Sequence, residues 1–245
     1  MIRCRIAALL IGLHAIFAVQ ALAQDNPVKT ILFGSMEAGP SSFVNAGAKI
    51  ALDDVNREGF VALVGAGTGI RQEKASGVQG VQGVFVPTLV RTTLVGAALG
   101  GYQFFREWGA ISLFAGPEAA VDALTAEGTM RTLPPRFGLR VQAEAWIRPS
   151  ENTLTTLTLV LGSARGDAYG RVSAGYRLWG AYLGPEAVWY GDRTGYEKIC
   201  LGAHATDFAL GGISLRASVG ALYEPQTGLV GPYVALAAWA PFTSP

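Results

Sequence analysis

The chain has 245 residues, half of them apolar and only 15% charged, with a formal net charge of +1. A near-neutral balance without a basic run argues against nucleic acid as a partner. No apolar stretch beyond the amino terminus reaches the ~18 residues of a transmembrane helix, yet a soluble protein this apolar would need a very large core. With 32 glycines, the composition suits short strands, each apolar on one face, closed into a membrane barrel.

The amino terminus reads as an export signal. Arg3 and Arg5 precede the largely apolar Ile6–Val19, and Ala21-Leu22-Ala23 is a small-residue cleavage site. Residues 1–23 are therefore expected to be a signal peptide, and residues 24–245 one barrel domain. Loss of Arg3 and Arg5 takes the net charge from +1 to about −1. Cys4 leaves with the signal, so Cys200 has no disulfide partner within the chain.

In chain order, Thr30–Glu37 is a first strand and Gly39-Pro40 a turn. Ser41–Asp53 alternates cleanly, with Val44, Ala46, Ala48, Ile50 and Leu52 against Asn45, Gly47 and Lys49. A polar turn over Asp53–Glu58 leads to Phe60–Gly67, apolar on both faces and so without an assignable direction. Thr68–Val90 and Val121–Pro135 read as long loops, the first with room for a short hairpin. Between them lie strands Arg91–Phe105 and Gly109–Ala119. Strands then follow at Arg136–Arg148, Thr153–Ser163, Ala168–Trp179, Ala181–Tyr190, Tyr196–Asp207, Gly212–Leu222 and Gly228–Ala240.

The pattern predicts an all-β, antiparallel transmembrane β-barrel of about 12 strands. The long connections follow strands three and five and fall on one side, as the external loops of an outer-membrane barrel do. Short turns after strands four, six and eight fall on the other. Aromatic residues near strand ends, Tyr102, Trp108, Trp146, Trp179, Trp189, Tyr190, Tyr196, Tyr233 and Trp239, suggest girdles at the membrane interface. A soluble sandwich or lipocalin-like barrel is the competing architecture. It accounts less well for strand faces that combine Arg or Lys with glycine.

Parity assigns the faces. In the hairpin Leu183–Asp207, Ile199, Leu201, Ala203 and Ala205 should meet lipid, while Glu186, Lys198 and His204 should meet the lumen, with Gly191–Gly195 as its extracellular tip. The same alternation puts Glu118, Arg136, Arg140, Glu144, Arg171, Arg177 and Arg216 inside. Glu118 and Glu186 sit in two copies of Gly-Pro-Glu-Ala. They could form a paired-acid site of glycosidase type, but an ion-pair network that fills the barrel suits a lumen better. His204 with Thr206 resembles the pair a barrel-wall lipid hydrolase would use. That chemistry needs the pair to face lipid, and parity turns it inward. Gly65-Ala66-Gly67-Thr68-Gly69 lacks the Lys-Ser/Thr of a phosphate loop and reads as strand packing. His204 is the one histidine after the signal, so no metal centre is expected, and no cofactor motif appears.

Several short motifs resemble the cellulose biosynthesis protein BcsS family: the segment from Phe33-Gly34-Ser35 to Ala48, Gly101-Tyr102, Glu144-Ala145-Trp146, Gly175-Tyr176-Arg177, Gly184-Pro185-Glu186, Tyr190-Gly191-Asp192 and Tyr196 to Gly202. The resemblance spans essentially the whole mature chain. It implies an exported accessory protein of bacterial cellulose production or export and carries over no catalytic residue. Outer-membrane lipid, cellulose and cellulose synthase subunits are the partners it suggests. A lipid- or glycan-directed barrel enzyme and a small solute channel are the alternatives.

Overall fold

A computed structural model describes residues 27–74 and 88–242. The expected signal peptide and the middle of the first expected loop lie outside the described residues. The strands are β1 (Thr30–Ala38), β2 (Ser42–Ala51), β3 (Gly59–Lys74), β4 (Thr88–Arg106), β5 (Gly109–Ala126), β6 (Thr129–Thr132), β7 (Arg136–Ser150), β8 (Thr153–Gly162), β9 (Asp167–Leu178), β10 (Ala181–Gly191), β11 (Glu197–Leu210), β12 (Ile213–Glu224) and β13 (Leu229–Phe242). Every neighbouring pair is antiparallel. β1 pairs β13, with Thr30 opposite Phe242, so the two ends of the chain zip the ring shut. Twelve strands form the barrel; β6 is a short hairpin return that pairs only with β5.

The two rims differ. On the rim that carries both chain ends, the turns 107–108, 151–152, 179–180 and 211–212 have two residues each, and only 52–58 is longer. The opposite rim carries the longer connections. There the expected loops prove shorter than the sequence suggested. Thr68–Lys74 and Val121–Ala126 are strand, because β3, β4 and β5 continue pairing beyond the rim. These strands have 16, 19 and 18 residues against 10 in β8 and 11 in β10. One side of the wall therefore rises as a flap. Its sequence hides this, since glycine and charge there break the alternation.

Apolar and polar faces are inverted relative to a soluble protein. Val44, Ile50, Leu113, Leu139, Leu159, Val172, Leu201, Val219 and Leu236 are exposed around the outside, while Arg91, Glu118, Glu186, Lys198, His204 and Arg216 are buried inside. The outer wall can meet hydrocarbon because the closed ladder satisfies every strand edge internally. Ile199, Leu201, Ala203 and Ala205 lie on the outer face of β11, opposite its buried Lys198, Cys200, His204 and Thr206.

Twelve strands enclose more space than the roughly eight whose own side chains fill a barrel. Here the interior takes large side chains and one inserted turn. Residues 52–58 fold into the lumen, where Val55 joins Ala51, Val61, Leu63, Leu99 and Phe114 in a buried apolar cluster. Gln103 secures the turn by donating its side-chain amide to the Val55 carbonyl at 2.7 Å and the Arg57 carbonyl at 3.2 Å. This explains the double apolar face of Phe60–Gly67: Phe60 and Val64 point out, and Val61 and Leu63 meet the turn. The glycine run of β3 is also packing. A Cβ on Gly67 or Gly69 would stand 2.6 or 2.8 Å from the Phe43 ring, which lies across both.

The aromatics divide. Trp108, Trp179 and Trp189 are exposed, and Tyr102 meets Phe60 edge to face and Phe104 at a tilt. Trp146 and Trp239 do not belong to a girdle. They come from β7 and β13, six strands apart around the ring, and meet edge to face across the lumen at 5.5 Å. Tyr196 and Tyr233 are buried as well.

Candidate functional site

The polar interior falls into three tiers. At mid-height, Glu186 of β10 accepts from Arg216 of β12 and from the Tyr233 hydroxyl of β13 at 3.2 Å, with Arg171 of β9 at 3.8 Å. Arg171 also donates to Tyr233 at 3.3 Å, and Arg216 donates to Thr156 of β8 at 3.2 Å. Beside them Lys198 pairs with Glu37 of β1. The neighbours Val188, Cys200, Leu222 and Ala235 are apolar and buried. Charges in such surroundings must be paired, and each carboxylate of this tier is.

Towards the rim with the chain ends, Lys49 donates to Gln103 at 2.5 Å and Ser112 at 3.1 Å, and stands 3.9 Å from Glu144. Gln142 donates to Glu144 at 2.7 Å.

The tier at the opposite rim is the densest. Asp192, at the β10–β11 tip, accepts from Arg71 of β3 at 2.7 Å, Arg165 at 2.9 Å and Tyr190 at 3.1 Å. The Thr194 amide and hydroxyl donate to its other oxygen at 2.9 and 2.5 Å. Arg71 and Asp192 reach each other from walls six strands apart. Arg71 also lies over the Tyr196 ring at 4.2 Å, and the Tyr196 hydroxyl donates to Glu224 at 2.7 Å. The hairpin tip thus bends over the mouth rather than projecting from it. Burial would raise the Asp192 pKa, but hydrogen bonds from Arg71 and Thr194, with the nearby Arg165 charge, outweigh it and hold the carboxyl below its ordinary range. Next to it Asp122 accepts from Arg91, Thr93 and Arg136. Glu118 accepts from Arg140 at 2.9 Å and the Ala164 amide at 2.8 Å.

Of the residues singled out by parity, Arg171, Glu186 and Arg216 meet in one cluster. Glu118 with Arg140, and Arg136 with Asp122, lie in the tier at the opposite rim, and Glu144 in the tier towards the chain ends. Arg177 stands apart from all of them. It is exposed at the rim that bears the chain ends, over the Tyr182 ring at 5.7 Å. Residue parity still holds there, but Arg177 is the last inward position of β9 and stands at the open rim. Sequence reasoning passed over Arg71, Asp122, Arg165 and Asp192, which lay in segments read as loop or turn.

The two catalytic arrangements can be compared with this geometry. Glu118 and Glu186 occupy different tiers, each with its own arginine. His204 accepts at Nδ1 from the Thr206 hydroxyl at 2.7 Å, and its Nε2 donates to the Ala174 carbonyl at 3.3 Å. Among the described residues no carboxylate orients the ring, and Thr206 is fully buried. Among the described residues no group of three His, Cys, Asp or Glu side chains could hold a metal ion.

Comparison with known proteins decides the family. The profile of the cellulose biosynthesis protein BcsS family matches residues 31–242, from the first strand to the last. The chain belongs to that family. No curated protein matches it. Among solved structures, this BcsS-family barrel is similar to the KdgM porin in complex with disordered oligogalacturonate, at 10% identity over 87% of this chain and 99% of that one, with a TM-score of 0.42. It is also similar to the transport unit of the autotransporter AIDA-I from Escherichia coli, at 9% identity over 97% of each chain and the same TM-score.

Proposed function

We propose that this BcsS-family chain is a non-enzymatic accessory barrel of the bacterial outer membrane that supports cellulose biosynthesis or export from its outer surfaces. The observation that carries this reading is the bridged lumen: side chains from opposite walls meet at both ends, and ion pairs occupy the middle. A solute channel needs a water-filled lumen. A hydrolase needs an approachable nucleophile beside its base, and Thr206 lies buried among its neighbours. The apolar outer wall and the two-residue turns on one rim favour an orientation with the chain ends periplasmic and the flap outside the cell.

Surface partners remain: lipid around the wall, and cellulose or subunits of its synthase at the rims. Deletion of the gene, with complementation by the wild-type chain, tests the role. Reduced cellulose output or reduced attachment of cellulose at the cell surface is expected. Unchanged output and attachment in the deletion strain contradict the proposal.

A further inference from the structure

Charge does not balance in the middle tier of the lumen. Arg171, Arg216 and Lys198 meet only Glu186 and Glu37 there, three positive groups against two negative ones among the described residues. Lys198 and Glu37 neutralise each other, and Arg216 is bonded to Glu186. Arg171 is the surplus cation. Its Nε stands 3.8 Å from Glu186 Oε2, beyond hydrogen-bond reach, and its guanidinium donates instead to the Tyr233 hydroxyl at 3.3 Å. An uncompensated charge held beside Val188, Leu222 and Tyr233 is costly. The same level holds donors without acceptors. Arg171 Nε, Arg216 Nε and Ser218 Oγ are buried and make no hydrogen bond among the described residues. Arg216 is only 6% exposed and Ser218 4%. Ser218 is the next lumenal residue after Arg216 on β12, and its hydroxyl faces Glu186 without reaching bonding geometry. All three donors therefore lie around one carboxylate. Buried donors are almost always satisfied, and here the unmet donors and the unmet charge coincide.

We infer that Arg171, Arg216 and Ser218 form a binding site in the lumen for one small monovalent inorganic anion of the halide class. One negative charge brings the tier to neutrality, three against three. A water would satisfy the donors but leave the surplus charge. A monatomic anion accepts from several directions at once and needs no shaped pocket, whereas Val188, Leu222 and Tyr233 close the site to larger bodies. The two guanidiniums then stand between two anions, Glu186 and the halide, in charge-assisted contacts. The halide acts as a structural counter-ion that lets both arginines remain charged inside the barrel. This site belongs to the lumen alone and holds whatever the barrel does for cellulose biosynthesis.

Urea unfolding of the refolded protein in detergent micelles tests the site, with chloride exchanged for gluconate at constant ionic strength. Chloride should stabilise the wild type, its unfolding equilibrium constant falling about tenfold for each tenfold rise in chloride above the dissociation constant. Bromide should replace chloride. Ser218→Ala, which deletes an unbonded donor, should be as stable as wild type in gluconate and need several-fold more chloride for the same gain. Arg171→Gln should lose the chloride dependence, and Arg171→Lys, which keeps the charge, should retain it. Crystals of wild type refolded in bromide should show an anomalous peak beside Arg171 and Arg216, a readout that requires no variant to fold. Superimposable wild-type curves in chloride and gluconate overturn the inference and leave water as the partner of the three donors. A chloride effect that persists unchanged in Arg171→Gln overturns it too, as does a lumen without bromide.

Discussion

Glu186 receives Arg216, Arg171 and Tyr233 in a site closed off by Leu222 and Val188. Removing one partner of such a cluster leaves the others charged and unpaired. Glu186→Ala is therefore expected to lower the unfolding free energy by about 3–5 kcal/mol, measured by urea titration of the refolded protein, with Glu186→Gln less damaging. An intact fold with loss of a hydrolytic activity would instead mark Glu186 as a catalytic acid. Asp192 gives a pH dependence with a definite sign. Its folded pKa lies below the unfolded value of about 3.9, so its contribution is complete above that value and is lost as pH falls through the folded one. The mouth should stay closed at mildly acidic pH. Asp192→Asn should weaken it at neutral pH and flatten the acid limb of the stability curve, read by protease nicking of the 191–196 tip.

At the scale of the strand, alternation made one half of the architecture legible. β11 shows why: Lys198, Cys200, His204 and Thr206 alternate with Ile199, Leu201, Ala203 and Ala205, and the wall follows that order residue by residue. Leu201→Arg, on the lipid face, should cost up to about 2–4 kcal/mol according to its depth. Refolding yield into vesicles checks it, and an unchanged yield would mean that β11 does not face lipid. The pairings inside the barrel were not legible. Arg71 and Asp192 are 121 residues apart and Lys198 and Glu37 161 apart, so nothing local marks them as partners. The flap was hidden for a different reason. Strands β3 to β5 leave the level of the rim, and their outward positions no longer need the apolar side chains that reveal a strand. The inserted turn 52–58 was missed because its composition is that of a solvent loop, with Val55 as the single apolar residue that goes inside.

Across the whole molecule, the interior braces the wall. Three tiers of paired charge, the Trp146–Trp239 contact and two infolded turns link walls that the sheet alone would hold apart. On the proposed reading, a barrel built this way supports a cellulose machinery from its rims and its lipid-facing wall rather than through its centre. Planar-bilayer recording of the purified, refolded protein tests that claim most directly. The wild-type barrel should show no stepwise conductance, while Arg71→Ala combined with Asp192→Ala should admit brief openings at the mouth. Stable, unitary conductance steps from the wild-type protein would contradict the account and make the lumen a path for solutes.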